Sequence, residues 1–293
     1  MRLPLALSTL VLLAAAPPKP LTPPEIVAKA PASAWRAIPA EDLLLIDYQG
    51  GGRTIIQLAP AFAPVHVGNI RALAGSGYWT GASVYRVQDN YVAQWGTNDD
   101  KKPLPAAVVN KPPAEYTRSP QGLTIRPFAY SDPYAVRTGH SNGWAVAQYR
   151  NGQVSLTHCY GTVGVGRDLH PDTGMGGELY AVIGHGPRQL DRNIAMVGRV
   201  VEGIEQLSAL SRGTEALGFY KEGTVGKRIA AVRLASALPP AERPSFQYLS
   251  ETSPSFAAYL RTRANRQDDF YRVAAGGVDL CNAPVPVRRT PAR

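Results

Sequence analysis

The stretch "SVYRVQDNYVAQWGT", residues 83–97, decides how the chain is read. In its first run Tyr85 and Val87 alternate with Val84 and Arg86; after Gln88-Asp89-Asn90, Tyr91, Ala93 and Trp95 alternate with Val92, Gln94 and Gly96. Two runs of period two joined by a short polar turn read as a β-hairpin. On it Arg86 and Gln94 fall on one face, provided that no bulge intervenes. A guanidinium and a carboxamide brought together there either cap a solvated sheet or form a binding site.

The same pattern recurs along the 293 residues, which leave room for one large domain with extensions or for two small ones. The 28 glycines and 26 prolines favour turns and short strands over a helical bundle. "DLLLIDY", "GGG" and "RTIIQLA" make an N-terminal hairpin, and "GWAVAQY", "QVSLTHCYG", "TVGVGRD", "GMGGELYAVIG", "IAMVGRV" and "RIAAVRLAS" supply further strands. One helix sets Val67, Ile70, Leu73 and Ala74 on a face and ends at Gly75; a second, "EGIEQLSALSRG", aligns Ile204, Leu207 and Leu210. This predicts a mainly β fold: a closed antiparallel barrel of about eight strands with an α-helix over each end.

The barrel is expected over residues 41–235, with a Pro-rich insertion near 98–150 read as a long loop. Residues 17–40 are Pro- and Ala-rich, with a short helix from Glu25 to Ala30 that docks through Ile26, Val27 and Trp35. Residues 236–293 form a C-terminal extension. Ser253 caps a helix there, with Pro254 in its first turn and Phe256, Tyr259 and Leu260 on one face; it runs to about Tyr271, and an extended tail follows.

Arg2 followed by the apolar run Leu3 to Ala16 is too short to span a bilayer and reads as a secretory signal, residues 1–16, with a retained anchor as the alternative. A periplasmic or secreted location follows. In that setting Cys159 and Cys281 suit a disulfide; two separate buried thiols are the other arrangement. The five histidines show no ligand spacing, so no metal is expected. The charge of +9 comes from dispersed residues without a nucleic-acid motif, and reads as a solvated basic surface.

"GHSNG", residues 139–143, matches the nucleophile pattern G-x-S-x-G, which works where a strand turns sharply into a helix. Here a strand-like run follows instead, so a serine hydrolase is not expected. "GTVGVGRD" and "GMGGE" lack the following helix that a phosphate cradle needs.

With these motifs in view, "VHVGNIRALAGSGYWTGASVYRVQDNYVAQWGT" resembles the helix-to-hairpin region of the cyclophilin-type peptidyl-prolyl isomerases. There N-F-x-x-L leads to G-Y-Y-D-G, F-H-R-V and F-M-I-Q-G-G. "VGRDLHPDTGMGGELYAVIG" is similar to the family's M-A-R…S-Q-F-F-I segment, and "RQLDRNIAMVGRVVEGIEQLSAL" to its L-D-G-K-x-x-V-F-G-x-V segment. The resemblance spans residues 42–235 in order and leaves both termini uncovered.

It implies a cofactor-free isomerase acting as a monomer on proline-containing polypeptides. Arg86 would be catalytic and Gln94 would hold substrate backbone. Tyr91, Val92, Tyr180 and Leu190 would line the proline slot, with Ile194 at its rim and Gly166, Arg167, Glu178 and Gln189 around it. Three positions depart from the pattern. Trp95 stands where glycine is usual, Glu178 replaces a glutamine, and Gln189 stands where many members have tryptophan, which implies weak cyclosporin binding.

The chemistry agrees with this reading. Rotation about an X-Pro bond must break amide resonance, against a barrier of about 18–20 kcal/mol. A donor aimed at the prolyl nitrogen helps chiefly in the twisted state, so it accelerates rather than merely binds. A permanently charged guanidinium fork is such a donor. A noncatalytic groove that only grips proline-containing chains is the alternative.

Overall fold

A computed structural model describes residues 19–97, 99 and 101–291. The expected signal, residues 1–16, lies outside the described residues. Eight antiparallel strands close a barrel in the order Thr162–Val165, Leu179–Val182, Val92–Gly96, Ser83–Val87, Lys227–Leu234, Leu43–Tyr48, Arg53–Leu58 and Met196–Glu202, which returns to Thr162–Val165. Alternate residues of these strands fill it: Leu44, Ile46, Ile56, Leu58, Val84, Val87, Ala93, Trp95, Val163, Val165, Leu179, Ala181, Val197 and Ile229 are all buried in one cluster.

Helix α1 covers Pro23–Ala28, α2 Pro64–Gly75, α3 Glu205–Ser208 and α4 Pro254–Ala264. Helix α2 adds Val67, Ile70 and Leu73 to the barrel core, and α3 adds Leu207. The second helix expected from sequence is thus one turn only. Helix α4 stops at Ala264 rather than near Tyr271, and α1 begins earlier than expected because Thr22 and Glu25 close a capping box.

Two runs expected in the barrel lie elsewhere. Trp144–Gln148 and Val154–Leu156 join Arg126–Pro127 and Arg137–Ser141 in a separate four-stranded sheet. The insertion is therefore no mere loop. It is bound at both sides. Trp144, Val146 and Leu156 pack on Ala59, Phe62 and Met196 of the barrel, whereas Phe128 packs on Leu280 and Ala283 of the tail. The insertion also caps α2, where the Glu115 carboxylate accepts from the Val65 and His66 backbone N–H groups at 3.0 Å each.

"GHSNG" forms the end of one strand and a tight turn, with Asn142 at φ 48° and Gly143 at φ 81°, before Trp144 opens the next strand. That is a hairpin, and the Ser141 side chain is buried.

The segments before and after the barrel meet in a three-stranded sheet of Trp35–Ala37, Phe246–Leu249 and Val287–Arg289. Trp35 and Leu249 pack with Phe256 and Tyr259 of α4, with Ile26 and Val27 of α1 against them. Cys159 and Cys281 form a disulfide, Cα to Cα 5.0 Å, that ties the tail to the barrel across 122 residues.

Candidate active site

The hairpin sets the geometry. Arg86 pairs with Gln94 across it, and Val87 with Ala93, but the next pair is Val84 with Trp95. Tyr85 is therefore the extra residue of a β-bulge, and the expected faces change at this point. Val84 and Val87 both enter the core, while Tyr85 does not join it.

Arg86 is held on three sides. Its Nη1 donates to Gln94 Oε1 at 3.0 Å, Nη2 to Gln88 Oε1 at 2.6 Å, and Nε to the Leu217 carbonyl at 2.8 Å. The guanidinium carbon stands 5.4 Å from the Phe219 ring centroid and 5.9 Å from that of Tyr91. Burial lowers its pKa from the usual arginine value, and the neighbouring Tyr91 and Tyr85 oppose that. It remains a cation.

Gln94 is oriented from its other end, where Nε2 donates to the Tyr85 hydroxyl at 2.5 Å. Burial, and then the Glu178 charge and hydrogen bond, push the Tyr85 pKa up. Glu178 Oε1 also accepts the Thr97 backbone N–H at 2.9 Å. The bulge thus supports the Arg86–Gln94 pair, and Glu178 serves as an internal brace. Arg167 is fixed separately, donating to the Asp168 and Asn193 carbonyls at 2.6 and 3.1 Å.

Beside Arg86 opens a groove of about 490 Å³ lined by Tyr91, Val92, Gln94, Gly166, Arg167, Tyr180, Leu190 and Ile194. The structure brings these expected residues together. Val92 and Tyr180 form its buried apolar floor, packed with Val182 behind them and with Tyr91 and Ile194 against them. Glu178 lines the adjoining hollow that shares Gln94, Gly166 and Arg167. Gln189 is exposed and does not line the groove.

Leu217 and Phe219 belong to the groove and were missed by sequence reasoning. They come from an irregular segment that runs along the edge of the Arg86 strand, with Tyr220 N–H bonded to the Tyr85 carbonyl at 3.1 Å. Leu217 sits at φ 58°, a left-handed conformation unusual for leucine, with its carbonyl aimed at Arg86. No period marks such a segment.

Trp95, which needed room where glycine is usual, finds it inside the barrel at 1% exposure. Among the described residues, no group of three or more His, Cys, Asp or Glu is placed to hold a metal ion, and no helix is long and apolar enough to cross a membrane.

A closed barrel thus carries a fixed guanidinium beside an apolar groove. The family profile "Cyclophilin type peptidyl-prolyl cis-trans isomerase/CLD" matches residues 43–231. The chain belongs to this family, and its enzyme class is peptidyl-prolyl cis-trans isomerase.

A probable peptidyl-prolyl cis-trans isomerase of Brucella suis biovar 1 (strain 1330) is 27% identical over 169 residues, 56% of this chain and 69% of the relative. The corresponding protein of Brucella abortus (strain 2308) is 26% identical over the same length. The crystal structure of cyclophilin AquaCyp293 from Hirschia baltica has the same fold, with a TM-score of 0.71 at 21% identity, covering 94% of this chain and 99% of that one.

Proposed function

We propose that the chain catalyses X-Pro isomerisation in exported proteins as a cofactor-free folding catalyst, acting as a monomer in the periplasm or outside the cell. The barrel of residues 41–235 carries the activity, and residues 19–40 and 236–291 brace it. The observation that carries this reading is the double fixing of Arg86 and Gln94 at the edge of the apolar groove.

With the proline ring between Tyr91, Val92, Tyr180, Leu190 and Ile194, the Arg86 guanidinium lies where the prolyl nitrogen becomes basic on twisting. Gln94 holds the backbone beside it. Three of Arg86's five N–H groups are engaged by the protein, which leaves donors for the substrate. The fork is already oriented, so little reorganisation is needed at the twisted state. The disulfide supports export, since such bonds persist in oxidising compartments.

The test is refolding of a disulfide-containing exported protein whose slow phase is limited by proline isomerisation. Acceleration by the wild-type chain and none by Arg86→Ala is expected. Binding of the unfolded protein without acceleration would replace this reading with the noncatalytic groove.

A further inference from the structure

The floor of the proline slot is joined to the insertion by a buried chain of hydrogen bonds. The Tyr180 hydroxyl lies 2.8 Å from His158 Nε2, and the two rings stack at 10° with centroids 6.3 Å apart. His158 Nδ1 lies 2.9 Å from Asp191 Oδ1, which also accepts the His158 backbone N–H. Asp191 Oδ2 accepts from Arg188 Nε at 2.6 Å, and Arg188 gives Nη1 and Nη2 to Asp132 at 2.7 and 3.1 Å. The side chains of His158, Asp191, Arg188 and Asp132 are all at most 4% exposed.

We infer that His158 is a positioning residue for the isomerase: it fixes Tyr180 in the floor of the proline slot, and Asp132 of the insertion holds His158 in place through Arg188 and Asp191. The inference rests on the slot proposed above.

The donors and acceptors fall in one order. The Asp191 carboxylate only accepts, so Nδ1 carries the proton, and in the neutral ring Nε2 accepts from the Tyr180 hydroxyl. Burial raises the Tyr180 pKa well above the usual phenol value, so the hydroxyl keeps its proton and remains a donor.

The path to His158 is built for a phenol. It passes over Gly164, where an added Cβ would stand 2.3 Å from the hydroxyl oxygen. A tyrosine held at its far end has lost its rotamer freedom before a peptide arrives, and the hydroxyl presents no unpaired polar atom to the proline ring. A phenylalanine would need none of this. The four-residue support is matched to the hydroxyl that this chain carries.

The experiment measures the Kd of an X-Pro peptide by titration calorimetry, together with KM and kcat, for wild type, His158→Leu, Tyr180→Phe and the double variant. His158→Leu is expected to weaken binding about fivefold, the worth of one lost hydrogen bond, with kcat nearly unchanged. In the Tyr180→Phe background the same change is expected to be nearly silent, because no hydroxyl is left to hold. An equal loss in both backgrounds, or no loss in either, overturns the inference.

Should His158→Leu fail to fold, Asp132→Asn decides. It is expected to raise Kd in the same direction by a smaller factor, and an unchanged Kd overturns the inference. Because Kd is read without turnover, a wild-type chain that binds but does not accelerate would sink the isomerase reading alone.

Discussion

Arg86 Nη1 and Gln94 Oε1 are 3.0 Å apart across directly paired positions of one hairpin, and the Gln94 amide nitrogen is taken by the Tyr85 hydroxyl. The amide therefore has one orientation, oxygen toward Arg86. Gln94→Ala removes both contacts and frees the guanidinium to swing toward Gln88. The expected result is a fall in kcat/KM of about tenfold, the worth of one charge-assisted hydrogen bond, with the fold unchanged by circular dichroism. Wild-type kcat/KM in this variant would mean that the pair is ornamental.

Trp95 fills the barrel where the family pattern has glycine. Trp95→Gly is expected to destabilise the chain by about 3–5 kcal/mol, since the strands around it are spaced for an indole. Thermal unfolding should show Tm lower by roughly 10 °C. An unchanged Tm would contradict this packing.

The Cys159–Cys281 bond closes a span of 122 residues. On the chain-entropy account Cys281→Ser lowers stability by up to about 5 kcal/mol. The urea midpoint should fall for the variant, and dithiothreitol should lower the midpoint of the wild type but leave the variant unaffected. Identical midpoints in all four conditions would mean that the tail is secured by packing alone.

His140 lies between the Phe128 and Phe256 rings, at centroid distances of 5.8 and 4.9 Å, and burial pulls its pKa down from the usual 6.5 to about 4. The unfolded chain therefore binds this proton at a higher pH than the folded one. The stability from His140 is fully present above about pH 6.5 and is lost as the pH falls toward 4, by roughly 3 kcal/mol in all. Denaturant midpoints between pH 7 and pH 4 should drop less in His140→Phe than in wild type. Parallel pH curves would refute the assignment.

The hairpin and α2 were legible because a period of two and a period near four survive in a single sequence. That Arg86 and Gln94 share a face followed from the same count, whereas their direct pairing did not. The bulge at Tyr85 was not legible, since one extra residue changes faces without changing the pattern. Trp144–Gln148 alternates like any barrel strand; its sheet is chosen by partners, chiefly Arg137–Ser141 across the Asn142-Gly143 turn. That Asn-Gly pair carried a hairpin signal, in keeping with the strand-like run that spoke against a nucleophile motif in "GHSNG". Leu217 acts through a backbone carbonyl, which no side-chain pattern can announce, and His158 meets Asp191 only because the fold brings two distant loops together.

The most direct test of Arg86 as the catalytic donor is cis–trans exchange of an X-Pro peptide followed by NMR, with the wild-type chain and with Arg86→Ala. The account predicts fast exchange with the wild type and a loss of about 10²–10³ in the variant, the usual cost of removing one preorganised donor to the developing charge. Equal acceleration by both chains would contradict it.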